Sequence, residues 1–140
     1  MFLVDTNVVS ELRRLDRADA RVVAWAGSVP STDLYISAIT VLELETGVLL
    51  RERRDPQQGA LFRAWLENNV LRSFADRILP VDLKVARRCA AMHVPDPRSE
   101  RDALIAATAI VHGLTVVTRN VCDFQPMGVT LINPWQTANQ

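Results

Sequence analysis

Four short apolar runs in this chain alternate with segments of helical periodicity, and no tight hairpin turn joins one run to the next. The runs are FLVD at 2–5, LYIS at 34–37, ILPV at 78–81 and TVVT at 115–118. Strands that are always separated by helices run parallel, and a parallel sheet needs helices on both of its faces. We therefore predict an α/β fold with three layers, α/β/α, and a central parallel sheet of four to five short strands. Residues 129–134 would supply the fifth strand at an edge, and the length of 140 residues fits one domain over 1–140.

Capping residues set the expected bounds of several helices. Ser37 is expected to cap a helix over 38–54, and Asp82 a helix over 83–94, because short polar side chains accept hydrogen bonds from the first free backbone N–H groups. Gly113 is expected to end the helix before the fourth strand, since glycine readily adopts the left-handed conformation that closes a helix.

Polar side chains stand where the strands of this predicted sheet would end. Asp5 closes the first strand, and Asn120 follows the fourth. Asp102 lies in the first turn of the helix that leads into the fourth strand, and Glu43 in the second turn of the helix after the second strand. Because the carboxyl ends of parallel strands meet at one edge, where ligands bind in such sheets, we expect these side chains to converge.

Each of these acids also has a simpler structural interpretation. Asp5 would serve as a helix cap, and Asp102 stands three residues after Ser99, which is the spacing of a capping box. Glu45 is as acidic as Glu43, and periodicity alone does not choose between them. Asp82 also ends a strand, and we interpret it as a cap only.

Taken as a set, three acids at one edge of a sheet repel one another unless a cation compensates them. Carboxylate and amide oxygens, without cysteine or histidine, are ligands that suit Mg²⁺ or Mn²⁺. His93 and His112 lack metal-ligand spacing, so a zinc site is not expected. A divalent ion held in this way indicates hydrolysis of a phosphodiester bond.

The basic residues balance the acidic ones, sixteen to sixteen, and all but Lys84 are arginines. Local clusters of arginine occur within residues 13–21 and 51–54. Arginine suits phosphate because its guanidinium offers paired donors, but a solvated helix face is the interpretation that we favour for either cluster. The aromatic residues at helical spacing within 61–74 are interpreted as core or as a subunit interface rather than as a base-stacking surface.

The cysteines and the hydropathy pattern bear on the compartment. Cys89 and Cys122 lack a CxxC spacing, which favours reduced thiols and predicts a cytoplasmic protein. The longest apolar run, LIAATAIV, is too short to span a bilayer, so no association with a membrane is expected.

Four segments of the sequence resemble the PIN-domain family, and in particular the VapC-type toxins of its FitB-like branch. LVDTNVVSE resembles the opening strand with the first acid, Asp5, and ISAITVLELETG resembles the segment with the second acid, which favours Glu43 over Glu45. DALIAATAIVHGLTVVTRN resembles the helix of the third acid, Asp102, and the strand after it, while LINPW resembles the closing segment. The resemblance covers essentially the whole chain and implies a single PIN-like domain over 1–140.

This resemblance implies a metal-dependent endoribonuclease toxin that hydrolyses RNA phosphodiester bonds at Asp5, Glu43, Asp102 and Asn120. The first three side chains would hold Mg²⁺, for which Mn²⁺ could substitute. A VapB-type antitoxin would inhibit the enzyme, and operator DNA would be bound only through that antitoxin. A homodimer, or a higher-order complex, is also implied.

One position departs from the family pattern. Many members carry a fourth acid after the Thr-Arg pair, where this chain has Asn120. The amide offers a carbonyl oxygen without a negative charge, and Asp123 is an alternative contributor three residues further on. The missing negative charge weakens the expectation of a second metal ion more than that of the first.

Two rival functions are compatible with parts of the sequence. A haloacid dehalogenase-type phosphatase would need a second Asp where Asn7 stands, and also a positioned lysine, for which the chain offers only Lys84. A degenerate PIN domain would act only as a binding partner in a DNA-binding regulatory complex, with Asn120 as a sign of decay. The presence of all three predicted acids argues against decay.

Overall fold

A five-stranded parallel sheet forms the centre of the protein in a computed structural model, which describes residues 1–136. The last four residues of the predicted domain lie outside this part of the chain. The strands are β1 (Phe2–Val4), β2 (Leu34–Ser37), β3 (Ile78–Leu79), β4 (Thr115–Val117) and β5 (Leu131–Ile132). Their order is β3-β2-β1-β4-β5, and every neighbouring pair is parallel. The predicted parallel sheet, including its fifth strand at an edge, is confirmed.

Helices connect these strands in the described part of the chain. They are α1 (Thr6–Glu11), α2 (Ala20–Gly27), α3 (Ala38–Arg54), α4 (Pro56–Trp65), α5 (Leu83–Met92), α6 (Glu100–His112) and α7 (Val121–Phe124). A π-helical segment, Leu66–Leu71, continues α4, and short 3₁₀ turns occur at Ser31–Asp33 and Gln125–Met127. None of the helices within residues 1–136 combines the length and the apolar character that a bilayer crossing needs.

Two hydrophobic cores, one on each face of the sheet, follow from the alternation of side chains along the strands. Leu3 and Val116 pack in the core that contains α5 and α6, whereas Val4 and Val117 pack in the core that contains α1, α2 and α3. Successive strand residues point to opposite faces, so a strand that is apolar at every position must be covered on both sides. This arrangement gives the predicted three layers.

The predicted capping residues act as expected. The side chain of Ser37 accepts a hydrogen bond of 3.0 Å from the backbone N–H two residues ahead, and Asp82 accepts one of 3.0 Å from the N–H three residues ahead. Gly113 ends α6 in the left-handed region, at a φ of 68°. Helix α5 is two residues shorter than predicted, because the residue before Pro95 is disfavoured in a helix.

Helices α3 and α4 pack closely because a glycine stands at their contact. A Cβ atom on Gly59 would overlap the backbone of Glu52, at 2.7 Å from its nitrogen. Across the same contact, Arg63 of α4 lies 2.7 Å from Glu45 and 3.2 Å from Glu52, both on α3. It also lies 3.4 Å from Glu67, one turn further along its own helical segment. These contacts fix the position of α3, the helix that carries the second predicted acid.

The strand order reverses between β1 and β4, because the chain fills one side of β1 first and then returns to the other. Such a reversal leaves a crevice outside the carboxyl ends of the two strands, and ligands bind there in open α/β sheets. Asp5 directly follows β1, and Thr118 directly follows β4. The topology therefore places both residues at the crevice.

Candidate functional site

Asp5 anchors the site because both of its carboxylate oxygens are held by neighbouring groups. Its backbone N–H donates to the Val117 carbonyl at 2.9 Å, which extends the pairing of β1 with β4 by one residue. Oδ1 accepts from the backbone N–H of Thr6 at 2.8 Å and caps α1, while Oδ2 accepts from the Thr118 hydroxyl at 2.7 Å. With 5% of its surface exposed, Asp5 is both the predicted cap and a buried acid at the sheet edge.

The Thr118 hydroxyl is the centre of a small hydrogen-bond network that sequence reasoning missed. Besides donating to Asp5, it accepts from the backbone N–H of Asn120 at 3.0 Å and from the Asn7 amide at 3.4 Å. Thr118 itself is completely buried. The available signal was a polar β-branched residue at the end of an apolar strand, which is too common to indicate a site.

Glu43 reaches the same edge from α3. The Thr6 hydroxyl donates to its Oε1 at 2.7 Å and lies 3.1 Å from the Thr40 hydroxyl, while Nη1 of Arg101 is 3.7 Å from its Oε2. Glu45, the equally acidic neighbour, is bound instead to Arg63 on the side of α4. The geometry thus separates the two glutamates that periodicity left open.

Asp102 completes the acidic cluster from the first turn of α6. The side chain of Ser99 makes no cap hydrogen bond, so the predicted capping box is wrong. Instead, the Ser99 side chain hydrogen-bonds to the Asp102 carboxylate. This bond lowers the pKa of Asp102, in opposition to the effects of burial and of neighbouring charges.

All four predicted site residues line one open pocket of about 270 Å³. Its walls are formed by Asp5, Thr6, Asn7, Glu43, Asp102 and Asn120. Asp123 stands in α7, outside this lining but close enough to raise the pKa of Asp102, and Asp82 lies elsewhere as the cap of α5. The structure therefore brings together the residues predicted from the sequence, while their catalytic role stays a prediction.

Burial and crowding make Asp5 and Asp102 difficult to ionise. Burial raises the pKa of Asp5 above its ordinary value of 3.8, and the charges of Asp102 and Glu43 act in the same direction against the hydrogen bonds from Thr118 and Thr6. Burial likewise raises the pKa of Asp102, with further contributions from Asp123 and Glu43. A negatively charged pocket of this kind favours a cation.

The donors of the pocket fit a hard divalent ion by type, since its polar side chains offer carboxylate, amide and hydroxyl oxygens. Within residues 1–136, no three His, Cys, Asp or Glu side chains are already grouped as a metal site. Asp5 and Glu43 each accept a hydrogen bond from a threonine hydroxyl, that of Thr118 and that of Thr6 respectively.

Comparisons with known proteins place this chain among characterised relatives over nearly its whole length. The family model of the PIN domain matches residues 2–121. Toxin FitB of Neisseria gonorrhoeae is 42% identical over 141 residues, which cover 96% of this chain and 99% of that protein. VapC ribonuclease Y4jK of Sinorhizobium fredii is 38% identical over 143 residues, covering 99% of this chain and all of that protein, 100%.

A solved structure of FitAB bound to an IR36 DNA fragment shares the fold. It superimposes with a TM-score of 0.88 at 38% identity, and the match covers 98% of this chain and 97% of that chain. The similarity therefore extends from the sequence to the arrangement of the sheet and its helices.

Crowding of the acids predicts that amide substitutions stabilise the metal-free protein. The folded pKa values of Asp5 and Asp102 are raised, so the cost of ionising them is fully present above those values and absent below 3.8, the ordinary pKa of the side chain. In EDTA at neutral pH, a variant with Asp5→Asn, Glu43→Gln and Asp102→Asn should melt at a higher temperature than the wild type. The difference should shrink as the pH falls towards 3.8.

Thermal melts followed by circular dichroism across this pH range test the effect. Asp96→Asn, in the exposed loop between α5 and α6, is the control for loss of a single carboxylate. Its melting temperature should equal that of the wild type at each pH. A triple variant that melted below the wild type at neutral pH would show that repulsion in the pocket is not the dominant cost.

Proposed function

This chain belongs to the PIN-domain family, and from that premise we propose that it is a divalent-metal-dependent endoribonuclease that acts as the toxin of a toxin–antitoxin pair. The observation that carries the proposal is the convergence of Asp5, Glu43, Asp102 and Asn120 on one pocket at the carboxyl edge of the sheet. These residues come from four different segments of the chain, so their meeting is a product of the fold. Ribonuclease is also the activity named for a relative that is 38% identical along essentially its whole length.

In this proposal, Asp5, Glu43 and Asp102 hold Mg²⁺, with Mn²⁺ as a substitute. When bound, the divalent ion supplies a Lewis acid that polarises a phosphoryl oxygen and activates a water molecule for attack. Thr118 keeps the Asp5 carboxylate pointed into the crevice, and Thr6 does the same for Glu43. Asn120 contributes a neutral oxygen at the rim of the same pocket.

A VapB-type antitoxin is the proposed inhibitor, and operator DNA would be bound only through it. Support comes from the toxin FitB, at 42% identity, and from the FitAB structure that contains a DNA fragment. The acidic pocket also suits a basic side chain, since Arg101 of this chain already lies 3.7 Å from Glu43. An arginine from a partner would fill the pocket by the same attraction.

A degenerate domain that only binds a partner is the second candidate, and Asn120 is the observation that favours it. The absence of a fourth carboxylate at that position reduces the charge available for a second cation. All three other acids nevertheless line the pocket, and two of them carry raised pKa values, which is typical of functional sites. Cleavage of RNA is therefore the activity that we propose.

A homodimer is proposed from the surface of α3. Leu42 and Leu49 are 47% and 55% exposed and lie seven residues apart, so they share one face of that helix. Exposed leucines that share a face are more typical of an interface than isolated ones are. Helix α3 packs against α4, where the aromatic residues within 61–74 begin, and the sequence analysis interpreted those residues as core or as a subunit interface.

Loss of a single acid should abolish RNA cleavage. Asp5→Asn, Glu43→Gln or Asp102→Asn should each lower the rate by about 100-fold or more, because each removes charge that the site needs in the transition state. The assay incubates labelled transfer, ribosomal and messenger RNAs with Mg²⁺, with Mn²⁺ and with EDTA. Asp82→Asn, at a cap outside the pocket, is the matched control and should cleave at the wild-type rate. Wild-type activity in the Asp5→Asn enzyme would rule out the assignment.

The identity of residue 120 should set how many ions are bound. Asn120→Asp adds a carboxylate to the pocket lining, so calorimetric titration should show tighter Mn²⁺ binding or an additional ion. Asp123→Asn tests the other route, since a large loss of activity would mean that Asp123 supplies the fourth acid. Unchanged affinity and stoichiometry in Asn120→Asp would place that side chain away from the metal.

The proposed dimer should dissociate when its apolar face becomes charged. Leu49→Glu should convert the protein to a monomer in light scattering at micromolar concentration, since a buried unpaired charge opposes association. Leu83→Glu is the matched control, because Leu83 is 74% exposed on α5, a helix of the opposite sheet face. A wild-type protein that was already monomeric would contradict the proposal.

A further inference from the structure

A second pocket, of about 310 Å³, adjoins the acidic one. The two pockets share Thr6 and Glu43 in their walls, so a ligand that extends from one enters the other. The remaining wall of the second pocket comes from α1, the turn just after it, α3 and α4. It includes Ser10, Arg13, Gly47, Arg51, Phe62 and Trp65. Its character is basic and aromatic, in contrast to the acidic pocket beside it.

Arg13 and Arg51 each lie over the ring of Phe62. The guanidinium carbon of Arg13 lies 4.1 Å from the ring centroid, and that of Arg51 lies 4.0 Å from it. The two arginines belong to separate sequence clusters, one just after α1 and one in the last turn of α3. Attraction between a cation and the face of an aromatic ring holds both groups in the wall of the pocket.

No carboxylate of residues 1–136 forms an ion pair with either arginine. The nearby acids are Glu45 and Glu52 of α3 and Glu67 of the π-helical segment after α4. All three form ion pairs with Arg63. Burial lowers the pKa of Arg13, and the charges of Arg14, Arg51 and Arg17 lower it further. The pocket therefore holds two positive charges over one ring, and neither has an ion-pair partner within residues 1–136. Glu43, the acid in its wall, contacts Arg101 and Thr6 instead.

We propose that Arg13 and Arg51 bind a backbone phosphate of the RNA, next to the phosphodiester that reacts in the acidic pocket. The inference rests on the proposed ribonuclease function and names a binding site within it. Paired guanidinium donors match the oxygens of a phosphate. Arg13 is half-buried and Arg51 is exposed, so both remain accessible to a strand that lies along the pocket. Phe62 is covered by the two guanidinium groups, so the pocket offers charge rather than a stacking surface for a base.

The location favours a polyanion that spans both pockets. The acidic pocket repels an RNA strand unless a cation is present, because it contains Asp5, Glu43 and Asp102. Positive groups of the protein must therefore attract the strand at a neighbouring phosphate. The arginine pair supplies this attraction beside Glu43, a residue that both pockets share. An acidic peptide segment of an antitoxin is the competing occupant, and the experiment below separates the two.

Binding of single-stranded RNA without catalysis is the direct test. The parent protein carries Asp5→Asn and is kept in EDTA, and a fluorescently labelled RNA is titrated by anisotropy at several salt concentrations. Arg13→Met and Arg51→Met keep the length and apolar stem of the side chain but remove its charge. Each should weaken binding several-fold, and the double variant should make the slope of log affinity against log salt shallower by about 0.7, the value for one phosphate contact on a single strand.

Two controls isolate the phosphate contact. Arg54→Met removes a charge from the exposed end of the same helix, away from the pocket lining, and should leave the affinity and the salt slope nearly unchanged. Arg13→Lys and Arg51→Lys should retain the salt slope but bind RNA less tightly than arginine, because a lysine lacks the paired donors. If either methionine variant melts at a markedly lower temperature, the lysine variants carry the comparison.

Three results would overturn the inference. One is a parent protein that does not bind the RNA at low salt, and another is unchanged affinity and slope in both methionine variants. The third is loss of binding to the antitoxin with RNA binding intact, which would assign the pocket to an acidic peptide. Arginine-dependent RNA binding in a protein whose wild type cuts no RNA would instead reject the nuclease proposal and leave this site standing.

Discussion

The hydrogen bond between Asp5 and Thr118 is the interaction on which the site depends. It joins the ends of β1 and β4, the two strands on either side of the topological reversal, through residues 113 positions apart in sequence. The other carboxylate oxygen of Asp5 accepts the hydrogen bond that caps α1. The side chain of Asp5 therefore joins the end of β1 to the start of α1, and its own carboxylate is held at both oxygens. Because Thr118 also holds the backbone of Asn120, the whole carboxyl edge is ordered around this contact.

This order is costly for the protein that carries it. Two carboxylates with raised pKa values stand in the same pocket, and a third is held by a threonine and by Arg101 at 3.7 Å. Such a site is destabilising without a counter-charge, and it persists because the two hydrophobic cores on the sheet faces supply the stability. The arrangement is typical of functional sites, where binding strength is obtained at the expense of the unbound state.

The sequence predicted the sheet and several helix ends because the signals for them are local. Ser37 and Asp82 are caps that contact the N–H groups two or three residues ahead, and strict alternation of strands and helices leaves few topologies. The choice of Glu43 over Glu45 needed the family resemblance, because its physical cause lies in Arg63 on another helix. Sequence spacing also suggested a capping box at Ser99, but the Ser99 side chain makes no cap hydrogen bond and hydrogen-bonds to the Asp102 carboxylate.

The basic pocket formed by the two arginine clusters could not be predicted from the sequence. Each cluster alone is explained by a solvated helix face, and Phe62 alone by a hydrophobic core. Only the packing of α3 against α4, which Gly59 permits, brings Arg51 and Phe62 together beside Arg13. The same packing commits the neighbouring carboxylates to Arg63, so the positive charge that remains is an outcome of the tertiary structure. A basic pocket and an acidic pocket then share Thr6 and Glu43 in their walls. In our proposal, one RNA strand would contact both pockets, through a divalent ion in one and the arginines in the other.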